Sequence, residues 1–181
     1  MKYYINRFKE IANKESGKFY FTDEDISIGM GVRSPHVTFQ LKIPYKEYII
    51  YISNKTGTQY VGTYVCKLPI SLKASEFEIR TKTHLSTLFS INKKSRFKIV
   101  TQDQGLYSFL KNNKSLQSLN TVAKADIFEP IIEGEIIDSS YVVKVTYHLE
   151  FDNWTQVLEP LISFYKELIN FLENKNRNYG H

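Results

Sequence analysis

The pattern of apolar and polar residues predicts a chain built mainly of β-strands. The clearest case is residues 36–43, where Val37, Phe39 and Leu41 alternate strictly with polar neighbours. Strict alternation buries one face of a strand and leaves the other in water. Pro44 is expected to end this strand. Further strands are predicted at residues 19–22, 26–30, 47–53, 58–67, 76–81, 96–101, 127–137 and 141–151, with turns at 23–25 and 54–57.

Helical periodicity marks both ends of the chain. Residues 1–14 place Tyr4, Ile5 and Phe8 on one stripe. Between residues 154 and 173 every apolar residue lies on one half of a helical wheel, and no residue falls on the wrong side. A helix with so wide an apolar face needs a sheet to cover.

Two shorter helices are predicted between the strands. Asp103 is expected to cap the first, which carries Leu106 and Leu110, and the second contains Leu116 and Leu119. A short helical or turn segment is predicted at residues 86–89.

Together these elements predict an α+β fold. It has a single antiparallel sheet of about six to eight strands, an N-terminal helix, and a long C-terminal amphipathic helix packed on one face. The chain of 181 residues is 42% apolar, enough for one core. Residues 1–181 are therefore predicted to form one domain, with a frayed tail at 175–181.

Composition bears on the compartment in which the protein works. No apolar stretch approaches the ~20 residues that span a bilayer, and the first residues lack the apolar region of an export signal. The single cysteine, Cys66, excludes an internal disulfide. We therefore expect a cytoplasmic protein without membrane insertion.

Charge is concentrated in two blocks of opposite sign. Residues 73–114 hold nine Lys or Arg against three acids, and residues 123–159 hold two Lys against eight acids. The blocks either face and neutralise each other or lie apart as separate surfaces for partners. The overall excess is lysine, 19 against five arginines, whereas sequence-specific DNA recognition favours arginine. Any nucleic-acid binding is therefore expected to be weak and non-specific.

The tightest basic run is the predicted interaction surface. It consists of Lys93, Lys94, Arg96 and Lys98, where a turn leads into a strand. Such a run could hold phosphates. The alternative is a hairpin tip that its lysines keep soluble.

Catalytic, cofactor and metal signatures do not single out any residue. His148, Glu150 and Asp152 have the period-two spacing of metal ligands on one strand face, but they continue an exposed polar row, which favours a solvated surface. By the same reasoning His36 is predicted at the surface. Cys66 ends an apolar strand and is expected to be a small buried side chain. No cofactor is predicted.

One stretch of the chain has a familiar layout. The pattern Phe97-x-Ile99-x-Thr101-x-Asp103 is followed by a short helix, two strands and a closing amphipathic helix. Over residues 77–172 this order resembles several uncharacterised bacterial domains. The resemblance implies no function.

Two classes of function remain open. The first is a non-enzymatic protein-interaction module of the scaffold, adaptor or toxin-neutralising type, which binds a protein partner or a second copy of itself. The alternative is a binder of an apolar small molecule or lipid in a pocket between helix and sheet. An enzyme is the least favoured class.

Overall fold

A computed structural model describes residues 1–72, 74–82 and 95–178 of the protein. These residues form eight strands and four α-helices. The strands are β1 (Lys18–Gly29), β2 (Val32–Tyr45), β3 (Tyr48–Gly57), β4 (Val61–Pro69), β5 (Phe77–Thr81), β6 (Phe97–Thr101), β7 (Ile131–Ile137) and β8 (Ser140–His148). The helices are α1 (Lys2–Lys14), α2 (Gln104–Asn112), α3 (Lys114–Ala125) and α4 (Leu158–Asn178), with short 3-10 helices at Ile70–Leu72 and Trp154–Val157.

The strands form one antiparallel sheet in the order β1-β2-β3-β4-β8-β7-β5-β6. The first four strands follow one another as neighbours, whereas β8 returns to pair with β4, for example at Gly62 and Tyr147. Strands β5 and β6 lie at the far edge, where β5 pairs with β7. The predicted α+β fold with a single antiparallel sheet is confirmed.

Helices cover one face of the sheet and enclose the core. Phe8 of α1 packs against Phe39 of β2 at a ring-centroid distance of 5.1 Å and against Trp154 at 5.9 Å. Along α4 the apolar half predicted from the sequence is buried, including Leu161 and Leu168. The prediction that no polar residue joins this half is wrong at one position, because Thr155 in the preceding 3-10 helix is only 2% exposed.

Buried tyrosines fill the space beneath α4. The Tyr165 hydroxyl shares its one hydrogen between the backbone carbonyls of Tyr64 at 3.0 Å and Val143 at 3.1 Å, so it links α4 to two central strands. Burial raises the pKa of Tyr165 well above its usual value. The Tyr147 hydroxyl lies within hydrogen-bond reach of the Asn54 side chain. The centre of the fold is therefore packed with aromatic rings that carry satisfied hydroxyl groups.

Two predicted turns and one predicted break are wrong. Strand β1 continues through 23–25, because β2 pairs with it along this whole stretch. Strand β3 continues through 54–57, since its partner β2 reaches Gly57. Pro44 stays within β2: the pairing with β1 begins at Lys42, so on that side Pro44 has no neighbour to which it would donate a hydrogen bond.

The C-terminal elements also differ from the sequence prediction. Strand β7 begins at Ile131 rather than at residue 127, and β8 ends at His148 rather than at 151. Pro160 lies in the first turn of α4, where a missing N–H is tolerated. The helix extends into the stretch predicted as a frayed tail, and there Lys175 forms an ion pair with Asp103.

The helical segment predicted at residues 86–89 lies outside the described residues. Among the described residues, no helix has the length and apolar character needed to cross a bilayer.

Candidate functional site

The predicted interaction surface divides into residues with different roles. Lys93 and Lys94 lie outside the described residues. Arg96 is half-buried: its backbone N–H donates to Asn120 Oδ1 at 2.8 Å, and its guanidinium lies 3.5 Å from Glu129. Arg96 therefore joins the start of β6 to α3. Lys98 is exposed and lines a cavity.

The two charge blocks meet in part. Arg80 of the basic block lies beside Glu133 of the acidic block at 3.8 Å, and Arg96 lies beside Glu129 at 3.5 Å. These contacts neutralise charge near β5 and β7. Other charged residues of the two blocks line two cavities, one toward each edge of the sheet.

The first cavity lies between the β5–β6 edge and helices α2 and α3. It has a volume of about 390 Å³. We call it the basic cavity, and it is lined by Ile79, Lys82, Ser95, Phe97, Lys98, Ile99, Tyr107, Leu110, Lys111, Leu116, Gln117 and Asn120. Three of these residues are lysines and none is acidic, so its local charge is positive.

The second cavity lies toward the β1 edge and has a volume of about 530 Å³. We call it the aromatic groove. Its rings are brought together because Tyr4 of α1 stacks on Trp154 at 4.8 Å and the Leu149 N–H donates to the Tyr60 carbonyl at 3.1 Å. The groove is lined by Met1, Tyr4, Pro35, Val37, Thr56, Gly57, Tyr60, Leu149, Glu150, Phe151, Asp152 and Trp154.

Carboxylates border the aromatic groove. Glu150 and Asp152 line it and are exposed. On β1, Asp23 pairs with Val37 and Asp25 pairs with Pro35, two groove residues. Directly opposed residues of antiparallel strands share a face of the sheet, so both aspartates stand on the groove side. We call Asp23, Asp25, Glu150 and Asp152 the acidic rim.

A hairpin projects from the same end of the sheet. Strand β3 stops pairing with β2 at His36, whereas β1 and β2 continue to pair with each other as far as Gly29 and Val32. Residues 25–35 therefore form a two-stranded arm, which we call the hairpin arm. Met30 at its tip is fully exposed between Gly29 and Gly31, all three with positive φ, and Val32 is 52% exposed.

The other residues considered in the sequence are placed as follows. His148, Glu150 and Asp152 are exposed as predicted, but only His148 belongs to β8, so they do not form one strand row. His36 is half-buried rather than at the surface, because its ring bonds to Thr58 at 2.8 Å. Within the described ranges no group of three or more side chains is arranged to hold a metal.

Two structural predictions are confirmed. Asp103 caps α2, with its Oδ1 accepting from the Leu106 N–H at 3.0 Å. Cys66 is buried, and burial raises the pKa of its thiol to about 12. A thiol with so high a pKa is a poor nucleophile at neutral pH.

Sequence reasoning did not find the aromatic groove. Its rings come from residues 4, 60, 151 and 154, which are adjacent only after the sheet has formed. A local signal existed for the hairpin arm alone, in the two glycines around Met30.

The fold and the two cavities define a class of protein. It is an α+β domain with an open antiparallel sheet, helices on one face, a cavity lined by lysines near the β6 edge and a groove bordered by carboxylates toward the β1 edge. No family model, curated protein or solved structure matches the chain.

Proposed function

We propose that the protein is a non-enzymatic interaction module that binds a basic segment of a partner protein in the aromatic groove and along the hairpin arm. The observation that carries this proposal is the acidic rim, which borders an aromatic groove at the base of an arm that pairs only with itself.

The aromatic groove supplies apolar contact area for such a partner. Tyr60 is 48% exposed at its edge, while Trp154 forms a nearly buried floor. Aromatic residues are enriched at protein interfaces because they bury a large area with few rotatable bonds. An apolar or long aliphatic side chain of the partner would fill the groove.

The acidic rim determines which charge the partner segment must carry. Its four carboxylates are exposed, so each contact is screened by solvent and adds little affinity by itself. Together they attract a positively charged segment and repel an acidic one, which sets partner choice and association rate. The aliphatic part of a partner lysine would pack on the aromatic rings of the groove while its ammonium group lies beside the carboxylates of the acidic rim.

The hairpin arm offers backbone hydrogen bonds. Isolated two-stranded hairpins are marginally stable in water, so a partner strand beside this arm would stabilise it. Among the strands that the structure describes, β1 is an edge strand of the sheet, and none of them pairs with its outer side. An extended segment can add to such an edge and form a further strand.

Peptide binding tests the proposal. The probe is a fluorescein-labelled peptide of about ten residues, long enough to span the arm, in which lysine alternates with valine. We expect saturable binding that weakens with salt, and no binding of the same peptide with glutamate in place of lysine. Glu150→Lys should lower the affinity by about fivefold to tenfold. Glu135→Lys, an equal charge change at an exposed position of β7, is the control.

Hydrogen exchange locates the bound peptide. Amides of residues 25–35 should exchange more slowly when the peptide is bound, whereas those of β7 should not change. Equal losses in the two charge variants, or equal binding of the acidic peptide, would contradict the proposal.

The second candidate is a binder of an apolar small molecule. The space beneath α4 is occupied by Tyr64, Tyr147 and Tyr165. The observation that favours this candidate is instead the basic cavity, where helices α2 and α3 meet the sheet edge over an apolar floor.

We also propose the cytoplasm as the compartment of the protein, which a single buried thiol suits, and at most weak, non-specific contact with nucleic acids.

A further inference from the structure

We infer that the basic cavity binds a small organic anion, made of an apolar body and one carboxylate or phosphate group. This inference is independent of the protein-interaction function. It rests on the second candidate, the small-molecule binder, and gives it a ligand class.

Lysines from three parts of the chain are among the residues that line the cavity. Lys82 follows β5, Lys98 lies on β6, and Lys111 lies on α2. The Lys111 ammonium is 5.9 Å from the centre of the Tyr107 ring, so its stem lies along an aromatic face of the rim. Among the lining residues that the structure describes none is a carboxylate, so an anion entering the cavity meets positive charge.

The floor of the cavity is apolar. Ile79 and Leu110 are buried beneath it, and Phe97, Ile99 and Leu116 complete the lining. An inorganic anion would leave this floor in water, and a neutral apolar molecule would lower the hydration of the lysines without bringing a negative charge to them. A molecule with both an apolar body and an anionic group satisfies both parts of the site.

Hydrogen bonds hold together the segments that form the wall of the basic cavity. The Asn120 side chain accepts from the Arg96 N–H at 2.8 Å, and the Lys82 N–H donates to the Arg96 carbonyl at 2.7 Å. Ser95 Oγ accepts from the Phe97 N–H at 3.1 Å. These bonds join α3, the start of β6 and the end of β5, so the binding geometry exists before a ligand arrives.

The size of the cavity suits a small molecule. Its volume of about 390 Å³ falls within the ~300–1,000 Å³ that is common for ligand pockets. The chain between Lys82 and Ser95 includes residues outside the described part, and the site is defined without them.

Binding of two anionic probes tests the inference. The first is 8-anilinonaphthalene-1-sulfonate, followed by its fluorescence, and the second is decanoate, followed by calorimetry and by displacement of the first. We expect saturable binding of both. Decyl phosphate should compete as well, whereas decanol and inorganic phosphate should not.

Charge reversal assigns the site. The double variant Lys98→Glu/Lys111→Glu should bind decanoate about tenfold or more weakly, while Lys98→Arg/Lys111→Arg should keep most of the affinity. The control is Lys9→Glu/Lys67→Glu, which makes the same net charge change at exposed positions of α1 and β4. Thermal melting of each variant shows whether the fold is retained.

Each outcome has a distinct meaning. Equal affinity for decanol and decanoate would overturn the anion assignment but keep a small-molecule binder. Absence of saturable binding by both probes would overturn the inference and the second candidate together. Equal losses in the two charge-reversed variants would show that net charge, and not this cavity, attracts the probes.

Discussion

Replacing Gly62 by alanine should destabilise the fold through one buried ring. A Cβ atom at Gly62 would lie 2.3 Å from Cζ of Tyr147, its neighbour across β4 and β8. Carbon atoms normally approach to about 3.5–4.0 Å, so the ring would have to move by about 1.5 Å. The ring is confined, because it packs on Phe128 at 5.4 Å and its hydroxyl contacts Asn54.

The cost follows from these contacts. Overpacking of this kind costs about 1–3 kcal/mol, and disturbing the buried hydroxyl pair adds about 1 kcal/mol. Alanine has less conformational freedom than glycine in the unfolded chain, and this offsets about 0.4–1 kcal/mol of the destabilisation. We expect Gly62→Ala to lower the free energy of unfolding by about 1–3.5 kcal/mol.

Urea denaturation followed by fluorescence of Trp154, the single tryptophan, measures this change. The midpoint should fall by about 1 M for a usual denaturant slope. Gly105→Ala is the comparison: its Cβ would meet only Asp103 Oδ1, at 3.3 Å, so the cap must shift by a few tenths of an ångström while alanine favours the α2 helix, and we expect a change of less than about 1 kcal/mol. A Gly62→Ala protein within about 0.5 kcal/mol of the wild type would refute the reasoning.

Four further predictions follow from the same structure. A chain ending at Glu150 should lack a cooperative melting transition, because it loses α4, whose buried apolar side chains are worth ~1.5–3 kcal/mol each; a soluble, cooperatively melting fragment would contradict this. Alanine at His148, Glu150 and Asp152 together should change the free energy of unfolding by no more than about 1.5 kcal/mol, since all three are exposed, yet it should weaken binding of the basic peptide. Cys66 should react with Ellman's reagent at pH 8 only after unfolding, because its side chain is buried and burial raises the thiol pKa to about 12; fast labelling of the folded protein would exclude this picture. Nucleic-acid binding, measured by fluorescence anisotropy at about 150 mM salt, should be no tighter than ~10⁻⁶ M, and nanomolar affinity would show that the basic surface is underestimated.

The sequence predicted the elements whose cause is local. Alternation identified β2 around Phe39, and a continuous apolar half identified α4, because burial of one face leaves a regular trace along the chain. Asp103 was predicted as a helix cap for the same reason, since a cap bonds to an amide three residues away.

The features that the sequence did not predict depend on pairing between residues that are distant in the sequence. Residues 23–25 look like a charged turn, and only the pairing with β2 keeps them extended. The position of β8 between β4 and β7 has no local signal, because register between distant strands is decided by the assembled sheet. Of the four residues predicted to form an interaction surface, Lys98 lines a cavity, but its companions Lys82 and Lys111 come from other elements.

The central position of β8 has a consequence for synthesis of the protein. Strands β1 to β4 are neighbours in the sequence and can pair as soon as they leave the ribosome. Helix α1 can cover β1 and β2 early, but the helix-facing side of β4, with Tyr64, stays uncovered until β8 and α4 have been made. During that interval β4 is an open edge with apolar side chains, which is the kind of surface that aggregates or recruits chaperones. We expect release of a nascent chain before β8 to give an insoluble product, and expression to depend on how quickly the last third of the chain follows the first.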